Sequence, residues 1–399
     1  MKPSSSLRSA AGSKTSPARR APFAALRLAA LGLRPLATLA GCGGAAVGRL
    51  DPGAGDTVYV GVAVGLQSPE RYANVFRGVE MALEELNAAR PAGAPPLALR
   101  RAPDSASSAV EIAAAFRDDP RVVGVVGHTE SAATIAAAAV YGDRAHGGRD
   151  ALVAVSPTAS ASLVTRVNAW VFRVCPVATA QARALARYAA DSLRLARVAV
   201  LYRNDPSGKD FLHAFADELE SRGGRVVERD PFMEEIPEFD GYARRMAGRG
   251  VRGVVISGNA SDARKAIRAV RRAGGTPVFL ASNPPEGADA EARRDFAGLR
   301  FVTLYAPDRP ATPAGARFAA DFARRAGLPP DHWAALGYDA ATLIGRAVQA
   351  VGPQRRAVRD WIAGVGTASP PLDGASGVIR FDGGGDPVEK TVIVREASQ

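Results

Sequence analysis

Two short turns hold the residue types best suited to chemistry. The first, Gly127-His-Thr-Glu-Ser131, stands directly before an Ala-rich stretch of helical spacing. Its hydroxyls and the free N–H groups of a helix start make a natural carboxylate site. Simple N-capping by Thr129 or Ser131 explains the same residues equally well. The second turn, Ser156-Pro-Thr-Ala-Ser160, directly follows a strand-like run and offers hydroxyls and exposed backbone groups to a polar ligand. Its plain alternative is an ordinary Pro-bearing turn. Both turns would lie at carboxyl ends of strands, where open parallel sheets bind ligands.

Covalent and metal chemistry find less support. There is no Gly-x-Ser-x-Gly pattern. The four histidines, His128, His146, His213 and His332, show no close metal-ligand spacing. Gly208-Lys209 lacks the rest of a phosphate-binding loop, and Gly383-Gly-Gly-Asp joins two strands and so reads as a turn. Cys42 and Cys175 are the two cysteines, which excludes a disulfide scaffold and a Cys-rich zinc module. Cys175 stands in an apolar run and reads as a buried thiol rather than a nucleophile. The expectation is a protein without catalysis, cofactor or metal.

The elements that must position the two turns follow a regular alternation. Strand patterns at Thr57–Val64, Leu97–Arg101, Val122–Gly127 and Ala151–Val155 alternate with helical spacing at Tyr72–Ala89, Ser107–Phe116 and Ser131–Tyr141. After Trp170–Val174 a second series begins. Helices are expected at Ala178–Ser192, Asp210–Ser221, Tyr242–Gly248 and Ser261–Ala273, and strands at Arg197–Tyr202, Gly224–Glu228, Gly253–Ser257, Pro277–Ala281 and Phe301–Ala306. Such alternation predicts an α/β fold with two doubly wound parallel sheets. Long helical segments at Ala314–Ala326 and His332–Val351 look too strand-poor for a third domain and should pack back on one of the sheets. Gly377–Phe381 and Lys390–Arg395 close the chain as strands.

The formal net charge of +11 resembles a nucleic-acid footprint until its placement is read. Residues 1–41 hold seven basic side chains and no acid; without them 44 basic residues stand against 40 acidic ones. Nucleic-acid binding is not expected. The basic start, the apolar stretch from Phe23 and the sequence Leu39-Ala-Gly-Cys42 describe a secretory signal. Those last four residues resemble a bacterial lipobox, in which Cys42 is acylated and becomes the first mature residue. An uncleaved tail with a chance cysteine is the alternative. Residues 1–41 are thus expected to be a lipoprotein signal peptide and 42–56 a flexible tether.

The order of features resembles the type 1 periplasmic binding fold, in particular the leucine/isoleucine/valine-binding proteins that feed ABC transporters. The residues that carry this include Phe76-Arg-Gly-Val-Glu-Met-Ala, Val125-Val-Gly-His-Thr-Glu-Ser-Ala-Ala, Val155-Ser-Pro-Thr-Ala-Ser, Val171-Phe-Arg-Val, Gly337-Tyr-Asp-Ala-Ala and Gly377-Val-Ile-Arg-Phe-Asp-Gly-Gly-Gly-Asp. The resemblance implies two lobes joined by three hinge crossovers: 57–174 with 305–382 as the first lobe, and 175–304 with 383–399 as the second. It implies a small-molecule ligand (an amino acid, or a small carboxylate or amide) in the cleft between them. It also implies an ABC permease as partner, and a protein exported and held at the membrane through the lipid on Cys42. A sensing or envelope interaction protein of the same fold without a transport role is the alternative.

Residue by residue, the resemblance puts Ser131 on the ligand carboxylate, and Thr158, Ala159 and Ser160 on its carboxylate and amino group. Arg71-Tyr72 stand where an aromatic lid is common, so Tyr72 is a candidate. In the second lobe Ser207 and Asn259 replace common aromatics, and Asn283 or Ser282 replaces the acid that pairs the ligand ammonium, with Glu286 the nearest carboxylate. The carboxylate-reading half is thus kept and the ammonium-reading half altered.

Overall fold

The computed structural model describes residues 56–66, 72–234, 236–285 and 290–397. The expected signal segment, Cys42, most of the tether, Arg71 and Glu286 lie outside the described residues. The first lobe begins with β1 (Val58–Ala63), α1 (Ala73–Ala88), β2 (Leu97–Arg101), α2 (Ala109–Asp118), β3 (Val122–Gly127), α3 (Ser131–Tyr141), β4 (Ala154–Ser156) and β5 (Val171–Arg173). Its five strands lie in the order β2-β1-β3-β4-β5, all parallel.

The chain then enters a second lobe through α4 (Ala178–Arg187), β6 (Arg197–Arg203), α5 (Pro206–Ser221), β7 (Arg225–Phe232), α6 (Asp240–Met246), β8 (Gly253–Ser257), α7 (Ala260–Arg272), β9 (Val278–Ala281), α8 (Ala290–Asp295) and β10 (Arg300–Thr303). It returns to the first lobe as α9 (Pro313–Ala326), α10 (His332–Val351) and α11 (Arg355–Ala363), followed by the hairpin β11 (Leu372–Gly374) and β12 (Gly377–Ile379). A last passage ends in β13 (Ile393–Glu396), antiparallel to β10 at the edge of a six-stranded sheet ordered β13-β10-β9-β8-β6-β7. The chain therefore forms two doubly wound α/β lobes joined by three crossovers.

Charge-free strands explain why each sheet can be covered on both faces. Val58, Val60 and Val62 of β1 pack with α1, α10 and α11, while Ala63 joins Ile112, Phe116 and Tyr141 beneath α2 and α3. The second sheet is clad by α6, α7 and α8 on one face and by α4 and α5 on the other. Helix α10 lies directly on α1 because both carry glycine at the contact. A Cβ on Gly78 would stand 2.1 Å from the Ala334 carbonyl oxygen, and one on Gly337 would stand 2.8 Å from that of Val75.

Three local differences from the sequence reading have physical causes. Lys390 does not start a strand, because its ammonium turns inward to Asp339, 3.8 Å away, and donates to Ser376 Oγ at 2.7 Å. Residues 377–379 pair only with 372–374, outside either large sheet. Helix α11, absent from the expected elements, packs Val358 and Ile362 into the first core and is fixed by Arg355, whose guanidinium donates to the carbonyls of Val122 and Asp119 at 2.8 and 2.6 Å.

The junction of the lobes is built on Arg173, the last residue of β5, which is wholly buried. Its Nε donates to Asp386 Oδ1 at 2.7 Å, and its Nη1 donates to the carbonyls of Ala161 at 2.7 Å and Ala159 at 3.3 Å. Thr165 donates to the same Asp386 oxygen at 2.6 Å. Removing the carboxylate would strand a buried charge. Asp386→Ala is expected to lower stability by about 3 kcal/mol in urea unfolding, and Asp386→Asn by less.

His128 follows β3 beneath α3, where its Nε2 lies 2.9 Å from the Tyr141 hydroxyl. Burial lowers its pKa from 6.5 to about 4. Between those values the unfolded chain takes up a proton that the folded chain refuses, so stability falls as pH drops from 6.5 toward 4. The full effect is about 3 kcal/mol. Thermal unfolding of His128→Gln should lose that part of the acid slope while remaining less stable at pH 8.

Candidate functional site

The turns after β3, β4, β6, β8 and β9 line a cleft of ≈ 440 Å³ between the lobes. They flank the points where strand order reverses, between β1 and β3 and between β6 and β8, the places where doubly wound sheets leave a crevice. Tyr72, Ser131, Thr158, Ser160, Ser207, Asn259 and Asn283 all line this cleft. Ala159 does not. Its N–H donates to Ser156 Oγ at 2.9 Å and its carbonyl accepts from Arg173, so both backbone groups turn inward and hold the loop.

On the first lobe, neither Thr129 nor Ser131 caps α3. Thr129 Oγ1 accepts the Gly65 N–H at 3.0 Å, and Ser131 Oγ accepts the Ala161 N–H at 3.1 Å. The N-cap is Glu130, in extended conformation, and among the described residues no side chain caps the helix. The first-turn N–H groups of α3 are thus left for a partner in the cleft. Ser131 keeps its own O–H proton to donate, since the bond from Ala161 uses only a lone pair. Thr158 Oγ1 donates to the Thr129 carbonyl at 2.7 Å and so can only accept. Ser160 Oγ lies 2.7 Å from Ser207 Oγ of the second lobe; one of the two hydroxyls remains a donor.

On the second lobe the starts of α5 and α7 carry side-chain caps. Asp205 Oδ1 accepts the Gly208 N–H at 2.7 Å and caps α5. Gly208 is required there, because a Cβ would stand 2.0 Å from the Arg203 carbonyl oxygen. Asn259 and Asp262 form a capping box on α7. Asn283 spends its Nδ2 on the Gly258 carbonyl at 2.8 Å and on Ser282 Oγ at 3.1 Å.

Sequence reasoning passed over several residues that face the cleft: Glu130, Arg203, Asp205, Glu234, His332 and Trp333. Arg203 is held by Asp262 at 2.9 Å and Glu234 at 2.8 Å. Glu130 accepts from the Tyr72 hydroxyl at 2.7 Å, and the Tyr72 ring meets Trp333 edge to face at 5.1 Å. The Asp205-Pro206 pair, an acid just before proline at a helix start, was a legible capping signal; the others depend on contacts between distant segments. Cys175 is absent from the cleft lining, and burial pushes its thiol up to about 11. A protonated buried thiol has no place as a nucleophile. No described helix is long and apolar enough to cross a membrane.

Comparison with known proteins bears on the fold and the family. The chain is 24% identical over 350 residues to an amino acid binding protein of Pseudomonas aeruginosa, covering 84% of this chain and 90% of that one. Among solved structures, a leucine binding protein from Thermotoga maritima matches with TM-score 0.73 and 25% identity, over 86% of this chain and 95% of that one. A substrate-binding protein of an ABC transporter from Desulfitobacterium hafniense, in complex with Leu, matches with TM-score 0.70 and 26% identity, over 86% and 97% of the two chains. Residues 57–395 match the periplasmic binding protein family, and the chain belongs to it.

Proposed function

We propose that this chain is the exported solute-binding protein of an ABC transporter, and that it takes an amino acid or a related small carboxylate in the inter-lobe cleft. The observation that carries this reading is the uncapped start of α3. Of the helices that begin at the cleft, α5 and α7 are closed by Asp205 and Asn259, while α3 opens its N–H groups beside Ser131. A carboxylate there gains N–H donors, a hydroxyl donor and the favourable end of the helix dipole. Ser160 lines the same cleft. Relatives named as amino acid and leucine binding proteins support the same class of ligand.

The protein's task in this reading is binding and release, not catalysis. Ligand held by both lobes favours the closed form, which a permease can distinguish from the open one. The lipid anchor on Cys42 and the permease partner complete the proposal.

Ligand that binds only the folded chain must raise its melting temperature in a concentration-dependent way. A thermal-shift screen against the common amino acids, their amides and small carboxylates should yield at least one such hit. Ser131→Ala should weaken that hit roughly 10- to 100-fold, the loss of one hydrogen bond to a charged group; unchanged affinity would remove Ser131 from the site. Mass spectrometry of the protein from its native membrane should find a diacylglyceryl group on Cys42, and an intact Met1 would refute the anchor.

A further inference from the structure

Among the described residues, the turn after β9, where the resemblance puts an acid, offers Ser282, Asn283 and Pro284 to the cleft, none of them charged. A ligand ammonium left there without an anionic partner would be poorly compensated. Three other carboxylates line the cleft; Glu234 is paired with Arg203, which leaves Glu130 and Asp205, one from each lobe.

Glu130 belongs to the first lobe and is pinned. The Tyr72 hydroxyl donates to its Oε1 at 2.7 Å, and a Cβ on Gly65 would stand 2.8 Å from that same oxygen. The carboxylate therefore fills the space that glycine leaves open. Asp205 belongs to the second lobe. Its Oδ1 accepts the Gly208 N–H, which fixes the side chain at the start of α5. The two turns face each other: Ser160 and Ser207 meet at 2.7 Å beside them, and α3 touches α5. Arg203, the one arginine among the described residues that line the cleft, is paired with Asp262 and Glu234.

Resting on the amino-acid reading above, we infer that Glu130 and Asp205 together receive the ligand's ammonium group, and that this cation bridges the lobes. Two carboxylates brought together by closure repel each other, and a cation between them removes that cost. Burial pushes the Asp205 carboxyl above its ordinary range; the Gly208 and Ser207 N–H groups and the Arg203 charge hold that rise down, and the Glu130 charge adds to it, the mark of a second carboxylate nearby. The carboxylate end of the same ligand reaches the start of α3. The site therefore selects an α-amino acid over the carboxylate that lacks the amino group.

The test uses the full chain. The common amino acids are screened by thermal shift alongside their des-amino carboxylates, such as leucine with 4-methylpentanoate. The best amino acid and its des-amino counterpart are then titrated calorimetrically against the wild type, Glu130→Gln and Asp205→Asn. Glutamine still accepts the Tyr72 hydrogen bond, and asparagine caps a helix as well as aspartate does, so both variants should fold. The expected result is a preference of 100-fold or more for the amino acid, reduced at least tenfold in each variant. A des-amino carboxylate that binds as tightly as the amino acid, or a preference untouched by both substitutions, overturns the inference while leaving the carboxylate site standing. Silence from every amino acid and every carboxylate overturns the functional reading and this inference with it.

Discussion

Arg173 keeps its guanidinium out of water at the point where the chain first leaves the first lobe, and two separate segments end on it. Asp386 comes from the last crossover, and the carbonyls of Ala159 and Ala161 come from the turn that carries Ser160. A buried guanidinium needs most of its donors engaged. Those bonds leave the 156–161 turn little choice of shape. The Ala178 N–H, at the first turn of the second lobe, adds a 2.7 Å bond to the Ser160 carbonyl between the two that Arg173 takes. The orientation of Ser160 toward the cleft is thus set by the junction, not by the turn itself.

The cleft that results is chemically uneven. Helix dipoles from α3, α5 and α7 all favour negative charge at its centre. Two of them are spent on the protein's own side chains, and the third is open. Against that one anion-seeking end stand Glu130 and Asp205. A pocket with an anion-seeking end and a cation-seeking end matches a zwitterion better than it matches a simple acid. The apolar contribution comes from Tyr72, Trp333, Phe211, Met233 and Leu304, enough to cover a modest side chain.

Much of this was legible in the sequence because it depends on short-range pattern. Charge-free runs such as Val122-Val-Gly-Val-Val-Gly127 announce buried strands, and turns rich in hydroxyls after them mark the cleft. What was hidden depends on pairing across the chain. Arg203 meets Asp262, 59 positions away, and Arg173 meets Asp386 across 213. The Ala159 backbone was expected in the cleft because its neighbours are there, but Arg173 and Ser156 claim it. Reading Thr129 and Ser131 as caps was reasonable from their types; their oxygens instead bind the N–H groups of Gly65 and Ala161, contacts that exist only after the sheet has formed.

The buried pair of Lys390 and Asp339 has a consequence for movement. Asp339 lies in the middle of α10 and also accepts the N–H groups of Ala375 and Ser376, so it belongs to the rigid body of the first lobe. Lys390 is drawn into that body, and Asp386 is tied to it through Arg173. β13 begins at Ile393 as part of the second sheet. Only Thr391 and Val392 lie between these two anchorages, so any rotation of one lobe against the other must be taken up along this crossover by the torsions of a two-residue pivot.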